Sequence, residues 1–127
     1  MANTFTSTII DASKELSARE KIQLKDTAEC ISLDKWSQEP GAETAEIPVL
    51  GYVVLAVHND NAKGDTDYEQ LIVISEGQNY ITGSDSFRRS FLEIWEEMDG
   101  DPDPWAIRVI RKPSKNFAGT YMKAVLA

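Results

Sequence analysis

Cysteine and histidine are nearly absent: Cys30 and His58 are the only ones in 127 residues. A lone cysteine forms no internal disulfide, which fits a reducing compartment such as the cytoplasm. Two such ligands are too few for a zinc centre built on Cys and His. No apolar run approaches the ~20 residues of a membrane-spanning helix. The longest, Ile47 to Val57, is interrupted by Pro48 and Gly51. The first residues, Met1-Ala2-Asn3-Thr4-Phe5, lack the basic start and apolar core of a secretory signal, so a cytoplasmic protein with no membrane partner is expected. The longest stretch without acid lies at the C-terminal end. Residues 104–127 contain no Asp or Glu, although the whole chain has 21 of them and a net charge of −8.

That last absence is informative because the same stretch carries Arg108, Arg111, Lys112, Lys115 and Lys123. An acidic globule repels phosphate on average, but a segregated basic segment is a partner signal of its own. The alternative is that these cations pair with acidic neighbours in space. Length and the 42% hydrophobic content describe one ordinary domain with a sizeable core, spanning 1–127.

Val49 to Val57 (VLGYVVLAV) is apolar on both faces and reads as a strand covered on both sides. His58 to Tyr68 reads as a polar loop. Leu71–Ile74 and Asn79–Thr82 flank Ser75-Glu76-Gly77-Gln78, a hairpin signal. Ser84 is placed to cap a helix over Asp85–Met98, with Phe87, Phe91, Ile94, Trp95 and Met98 on one face and Glu93, Glu96 and Glu97 on the other. Asp99-Gly100-Asp101-Pro102-Asp103-Pro104 stops it.

A second hairpin closes the chain. Alternation puts Trp105, Ile107, Val109, Thr120, Met122, Ala124 and Leu126 inward, and Arg108, Ile110, Lys112, Tyr121 and Lys123 outward. Thr4 to Ile10 is β-prone, Ser13 is a candidate helix cap, and the type of residues 13–36 stays open. This order predicts a mostly β, α+β chain. Its plan is a five- to six-stranded antiparallel barrel of the oligonucleotide/oligosaccharide-binding (OB) kind, with one main helix between the middle and closing hairpins. Residues 1–48 have no assigned place in that plan.

Catalytic constellations are missing. His58 has no nucleophile motif beside it, and Cys30 has no visible activating partner. Asp99-x-Asp101-x-Asp103 starts like a calcium loop, but Pro104 stands where glycine is required and Ile110 where glutamate is. The helix start, with Arg88 and Arg89 nearby, is either an anion site or a plain capped end. No catalytic residue, metal or cofactor is expected.

The outward face of the terminal hairpin is different. Cations track a phosphate backbone and flat rings stack on unpaired bases, which is the pairing that single-stranded nucleic acid requires. Arg108, Lys112, Lys115 and Lys123 supply the charge; Phe117 and Tyr121 supply rings, with Tyr52 and Tyr80 as further platforms on neighbouring strands. The competing reading is an ordinary exposed hairpin.

From Leu71 to Leu126 the chain also resembles small single-stranded DNA-binding proteins encoded by tailed bacteriophages. The resemblance rests on Gly77-Gln78-Asn79-Tyr80-Ile81-Thr82-Gly83-Ser84, the helix Phe87 to Met98, Trp105-Ala106-Ile107-Arg108-Val109 and Pro113-Ser114-Lys115-Asn116-Phe117-Ala118-Gly119. It implies an OB barrel that coats single-stranded DNA in phage or mobile-element replication and recombination, without catalysis. Replication proteins and further copies of the chain are the additional partners left open. The alternative reading is an acidic phage accessory protein that binds and inhibits a host nucleic-acid-binding protein through Glu93, Glu96, Glu97, Asp99, Asp101 and Asp103.

Overall fold

The computed structural model describes residues 5–27, 29–60, 66–113 and 120–127. The chain runs through β1 (Phe5–Ala12), α1 (Ala18–Lys25), β2 (Ile31–Ser32) and one helical turn, α2 (Leu33–Trp36). A 3-10 turn at Ala42–Thr44 precedes β3 (Ile47–Pro48), β4 (Gly51–Asn59), β5 (Asp67–Ser75) and β6 (Gln78–Thr82). Then come α3 (Asp85–Met98), β7 (Ala106–Pro113) and β8 (Thr120–Leu126). The class is α+β and mostly β, as the residue pattern implies.

The strands form two sheets, ordered β1-β4-β5-β6-β2 and β3-β7-β8, and no closed barrel joins the described strands. Pairing is not wholly antiparallel either, since β2 runs parallel to β6. The division falls inside the apolar run that reads as one strand from Val49. Val49 N–H donates to Trp105 O at 3.1 Å, beside the small sheet, while Leu50 N–H donates to Ile74 O at 2.8 Å, in the large one. Two consecutive residues thus serve different sheets, and β4 starts at Gly51.

β4 is buried on both faces as its composition requires. Tyr52 and Val54 join Leu71, Val73, Phe87, Phe91, Ile107, Val109, Met122 and Ala124 in the core between the sheets and α3. Val53, Leu55 and Val57 point the other way and pack with Ile72 and Leu24 of α1. The ends of the predicted His58–Tyr68 loop belong to strands instead, with His58 opposite Asp67 and Val57 opposite Tyr68. Gly77, with φ of 67°, takes the positive-φ position of the two-residue turn between β5 and β6.

The open N-terminal third resolves into short pieces. Ser17, rather than Ser13, caps α1: its hydroxyl accepts from Glu20 N–H, and the Glu20 carboxylate accepts from Ser17 N–H. Ser13 instead extends the β1–β4 ladder, donating its N–H to Tyr52 O and accepting Tyr52 N–H on its hydroxyl. That contact needs Gly51, because a Cβ there would stand 2.6 Å from the Ser13 hydroxyl.

α3 occupies its predicted span, with Ser84 accepting Phe87 N–H. It crosses the free side of β8 and closes that edge with side chains. Ser86 donates to Met122 O at 2.9 Å, and Ser90 accepts Ala124 N–H at 2.8 Å while donating to Phe87 O. Because the Ser86 proton goes to Met122 O, Ser84 is the donor in the 3.0 Å contact between the two hydroxyls. Two serines one turn apart therefore do what a neighbouring strand would do. Ser90→Ala leaves the buried Ala124 N–H without a partner, and should cost about 1–3 kcal/mol in urea unfolding. A cost below ~0.5 kcal/mol would mean that the stitch contributes nothing net.

Candidate nucleic-acid interface

The terminal hairpin follows its alternation in the middle but not at its ends, where Thr120 and Leu126, expected inward, are exposed because the core stops short of them. Ile107, Val109, Met122 and Ala124 are buried, and the register sets Arg108 opposite Val125, Ile110 opposite Lys123 and Lys112 opposite Tyr121. Each cation on this face thus lies across from an aliphatic or aromatic side chain, in a checkerboard. Arg108 and Lys112 are exposed, Lys123 is half-buried, and Tyr121 keeps 38% of its surface in solvent. None of these three cations forms an ion pair among the described residues, despite the acidic balance of the chain. The structure therefore brings together Arg108, Lys112, Tyr121 and Lys123. Lys115 and Phe117 lie outside the described residues.

Tyr52 and Tyr80 do not belong to this surface. Tyr52 is 8% exposed and sits edge-on to Phe91 and Trp95, with ring centroids 5.9 and 5.2 Å away. Its hydroxyl donates to Asp11 Oδ2 at 3.1 Å, and burial, then this bond, pushes its pKa up to about 12. Tyr80 is half-buried edge-on against Trp36, at 5.8 Å, beside the same core. Both stand on the inner face of the large sheet, so neither is presented to a base alongside the basic hairpin. Residue type alone nominated them, without the strand parity that excludes them.

Arg111 is the cation whose role the sequence hides. Its guanidinium donates to Ser37 Oγ (3.0 Å), Thr120 Oγ1 (2.9 Å) and Asp34 O (3.0 Å), tying α2 to the hairpin. Asp34 in turn accepts from the buried Thr82 hydroxyl at 3.3 Å. Odd-numbered position in β7 was the available signal, since it shares a face with Ile107 and Val109.

The start of α3 offers no free cation from Arg88. Its guanidinium bridges Asp85 at 2.9 Å and Glu69 at 3.4 Å, so the capped-end reading fits. Cys30 is half-buried, and burial, then nearby Asp26, raises its thiol pKa, which disfavours the thiolate. Among the described residues no group of three or more His, Cys, Asp or Glu is arranged to hold a metal. No helix among them is long and apolar enough to cross a membrane.

His58 lines a groove of about 590 Å³ between β1, β4, β5 and the first turn of α3. Its Nδ1 lies 2.8 Å from Asp67 Oδ1 and its Nε2 lies 2.7 Å from Asp60 Oδ1. A neutral imidazole has one N–H, so only the cation donates to both carboxylates. Those bonds, Asp67 first and then Asp60, raise its pKa. A raised folded-state pKa stabilises below the unfolded value, about 6.5, and the gain is lost as pH rises through the folded value. As the sole histidine, His58 should titrate by NMR with a midpoint above ~6.5. His58→Gln should remove the loss of thermal stability across that window; a midpoint at or below ~6.5 would contradict the clamp.

Comparison with protein-family models, with characterised proteins and with solved structures finds no match to this chain.

Proposed function

We propose that the protein is a non-catalytic, sequence-tolerant single-stranded DNA-binding protein, serving phage or mobile-element replication or recombination. The observation that carries this reading is the unpaired basic face around Tyr121. Arg108, Lys112 and Lys123 have no acidic partner among the described residues of a chain of net charge −8, which leaves a local basic strip open to an anionic ligand. The exposed Tyr121 ring beside Lys112 supplies a stacking surface, and Ile110 and Val125 a dry floor. The inner side of β7–β8 is committed to the core, so the hairpin is a packed platform for an extended single strand rather than a free ribbon that enters a duplex groove. In this reading the two sheets are an opened relative of the OB plan. Supporting it are the helix between the β5–β6 and β7–β8 hairpins and the change of sheet at Val49–Leu50.

A second reading rests on α3. Glu93, Glu96 and Glu97 are exposed, and no basic residue accompanies the last two in the final turn. Carboxylates at a helix C-terminus oppose its dipole, so their placement costs stability and fits a protein partner with a basic cleft.

Anisotropy of a dye-labelled oligothymidylate separates the two. It is preferable to intrinsic tryptophan fluorescence, because Trp36, Trp95 and Trp105 all pack against the core. Three phosphate contacts give a log–log salt slope of roughly −2 for single strands. Lys112→Ala with Lys123→Ala should reduce it to roughly −0.7, and Tyr121→Ala should weaken binding by about 1–3 kcal/mol. No binding at low salt would sink the leading reading and direct attention to α3.

A further inference from the structure

Four strands end the two sheets, and three of them are closed or short. β2 and β3 have two residues each. β8 has its outward groups at Met122 and Ala124 taken by Ser86 and Ser90. β1 is different: eight residues long, it pairs on one side with β4, and no described strand covers its other side.

The ladder shows which groups that edge offers. Ser13 N–H donates to Tyr52 O, and at the far end Asn59 N–H turns the other way, to Thr66 O. Even-numbered residues of β4 therefore bond toward β1, and their partners Thr6 and Thr8, opposite His58 and Ala56, point back at β4. Phe5, Ser7 and Ile9 consequently turn their backbone N–H and C=O outward. A register shift between Ile9 and Asp11 ends this stretch, and beyond it Asp11 Oδ1 occupies the Ala12 N–H at 2.9 Å.

Edge strands are usually blunted by lysine, proline or an inward charge. β1 has none of these before its bulge, and no charged side chain occurs before Asp11 in a chain that is 27% charged. Its sequence is also self-complementary. Antiparallel pairing about Ser7 sets Ser7 opposite Ser7, Thr6 opposite Thr8 and Phe5 opposite Ile9. Cross-strand hydroxyl pairs and apolar positions are thus matched, with about six backbone hydrogen bonds exchanged. The two Asp11 carboxylates would lie roughly 25 Å apart, beyond the screening length of physiological salt.

We infer that β1 is the contact strand of a symmetric homodimer, joining two five-stranded sheets edge to edge across a two-fold axis at Ser7. This stands independently of what the basic hairpin binds. Sedimentation of the intact chain from ~1 to ~100 μM should show reversible dimerisation. Ser7→Pro removes an outward donor without touching the β1–β4 ladder, and should remain monomeric over the same range. In a Cys30→Ser background, mild oxidation of Ser7→Cys should give a covalent dimer, because opposed residues of a hydrogen-bonded pair lie about 5.5 Å apart at Cα. Thr6→Cys, which faces Thr8, should not. A wild type that is monomeric throughout, or a folded Ser7→Pro variant that stays dimeric, overturns the inference. If Ser7→Pro fails to fold, the two cysteine variants decide, and failure of Ser7→Cys to cross-link overturns it.

Discussion

A strand that is apolar on both faces cannot end a structure; it must lie inside one. β4 imposes that condition here, since Val53, Leu55 and Val57 face one way and Tyr52 and Val54 the other. One cover is thick. α3 and the small sheet bring Phe87, Phe91, Ile107, Val109 and Met122 against it, and a run of aromatic contacts through Phe91, Tyr52, Trp95 and Trp105 links the layers. The other cover is thin, with Leu24 the sole buried residue of α1. The small sheet therefore exists to seal one side of β4, and its own outer face is left for solvent or a ligand.

That division gives the basic hairpin its character. Its inner side chains are committed to the core, so hydrophobicity there says nothing about binding. On the outer side the residues are free to be chosen for another purpose, and what stands there is cation opposite apolar in each of three rungs. Arg111, one position out of phase, is consumed by Ser37, Thr120 and Asp34. Two adjacent cations, Arg111 and Lys112, are thereby set on opposite faces by strand parity, one tied to α2 and the other exposed.

Legibility followed the range of the interactions. α3 was readable to its end residues because its cap, its apolar stripe and its stop signal are all local. The hairpins were readable for the same reason. α1 was not, because a helix with one buried leucine has almost no stripe to detect, and Lys21 to Lys25 alternates like a strand. β2 and β3 are two-residue strands that exist only because β6 and β7 are there to pair with. The break between sheets depends on where the amides of Val49 and Leu50 point, which no periodicity records. At the candidate site, parity placed Arg108, Lys112, Tyr121 and Lys123 correctly on one face. Tyr52 and Tyr80 were nominated by ring chemistry, and their burial depends on Trp95, Phe91 and Trp36 arriving from elsewhere in the chain.

The treatment of the sheet edges completes the same logic. A long edge strand presents unpaired backbone groups, and each must find water, a side chain or another strand. β8 lies beside α3, so two helical serines can reach its outward carbonyl and amide, and the edge is finished within the chain. β1 lies at the opposite limit of the large sheet, and no helix among the described residues offers such hydroxyls to Ser7 or Ile9. Among the described residues nothing meets its outward groups, which leaves solvent or a second strand. Before Asp11, the hydroxyl-rich sequence of β1 lacks the charges that would repel that second strand. A single chain that closes one edge with its own serines and leaves the first residues of the other without charge treats its two edges as different surfaces.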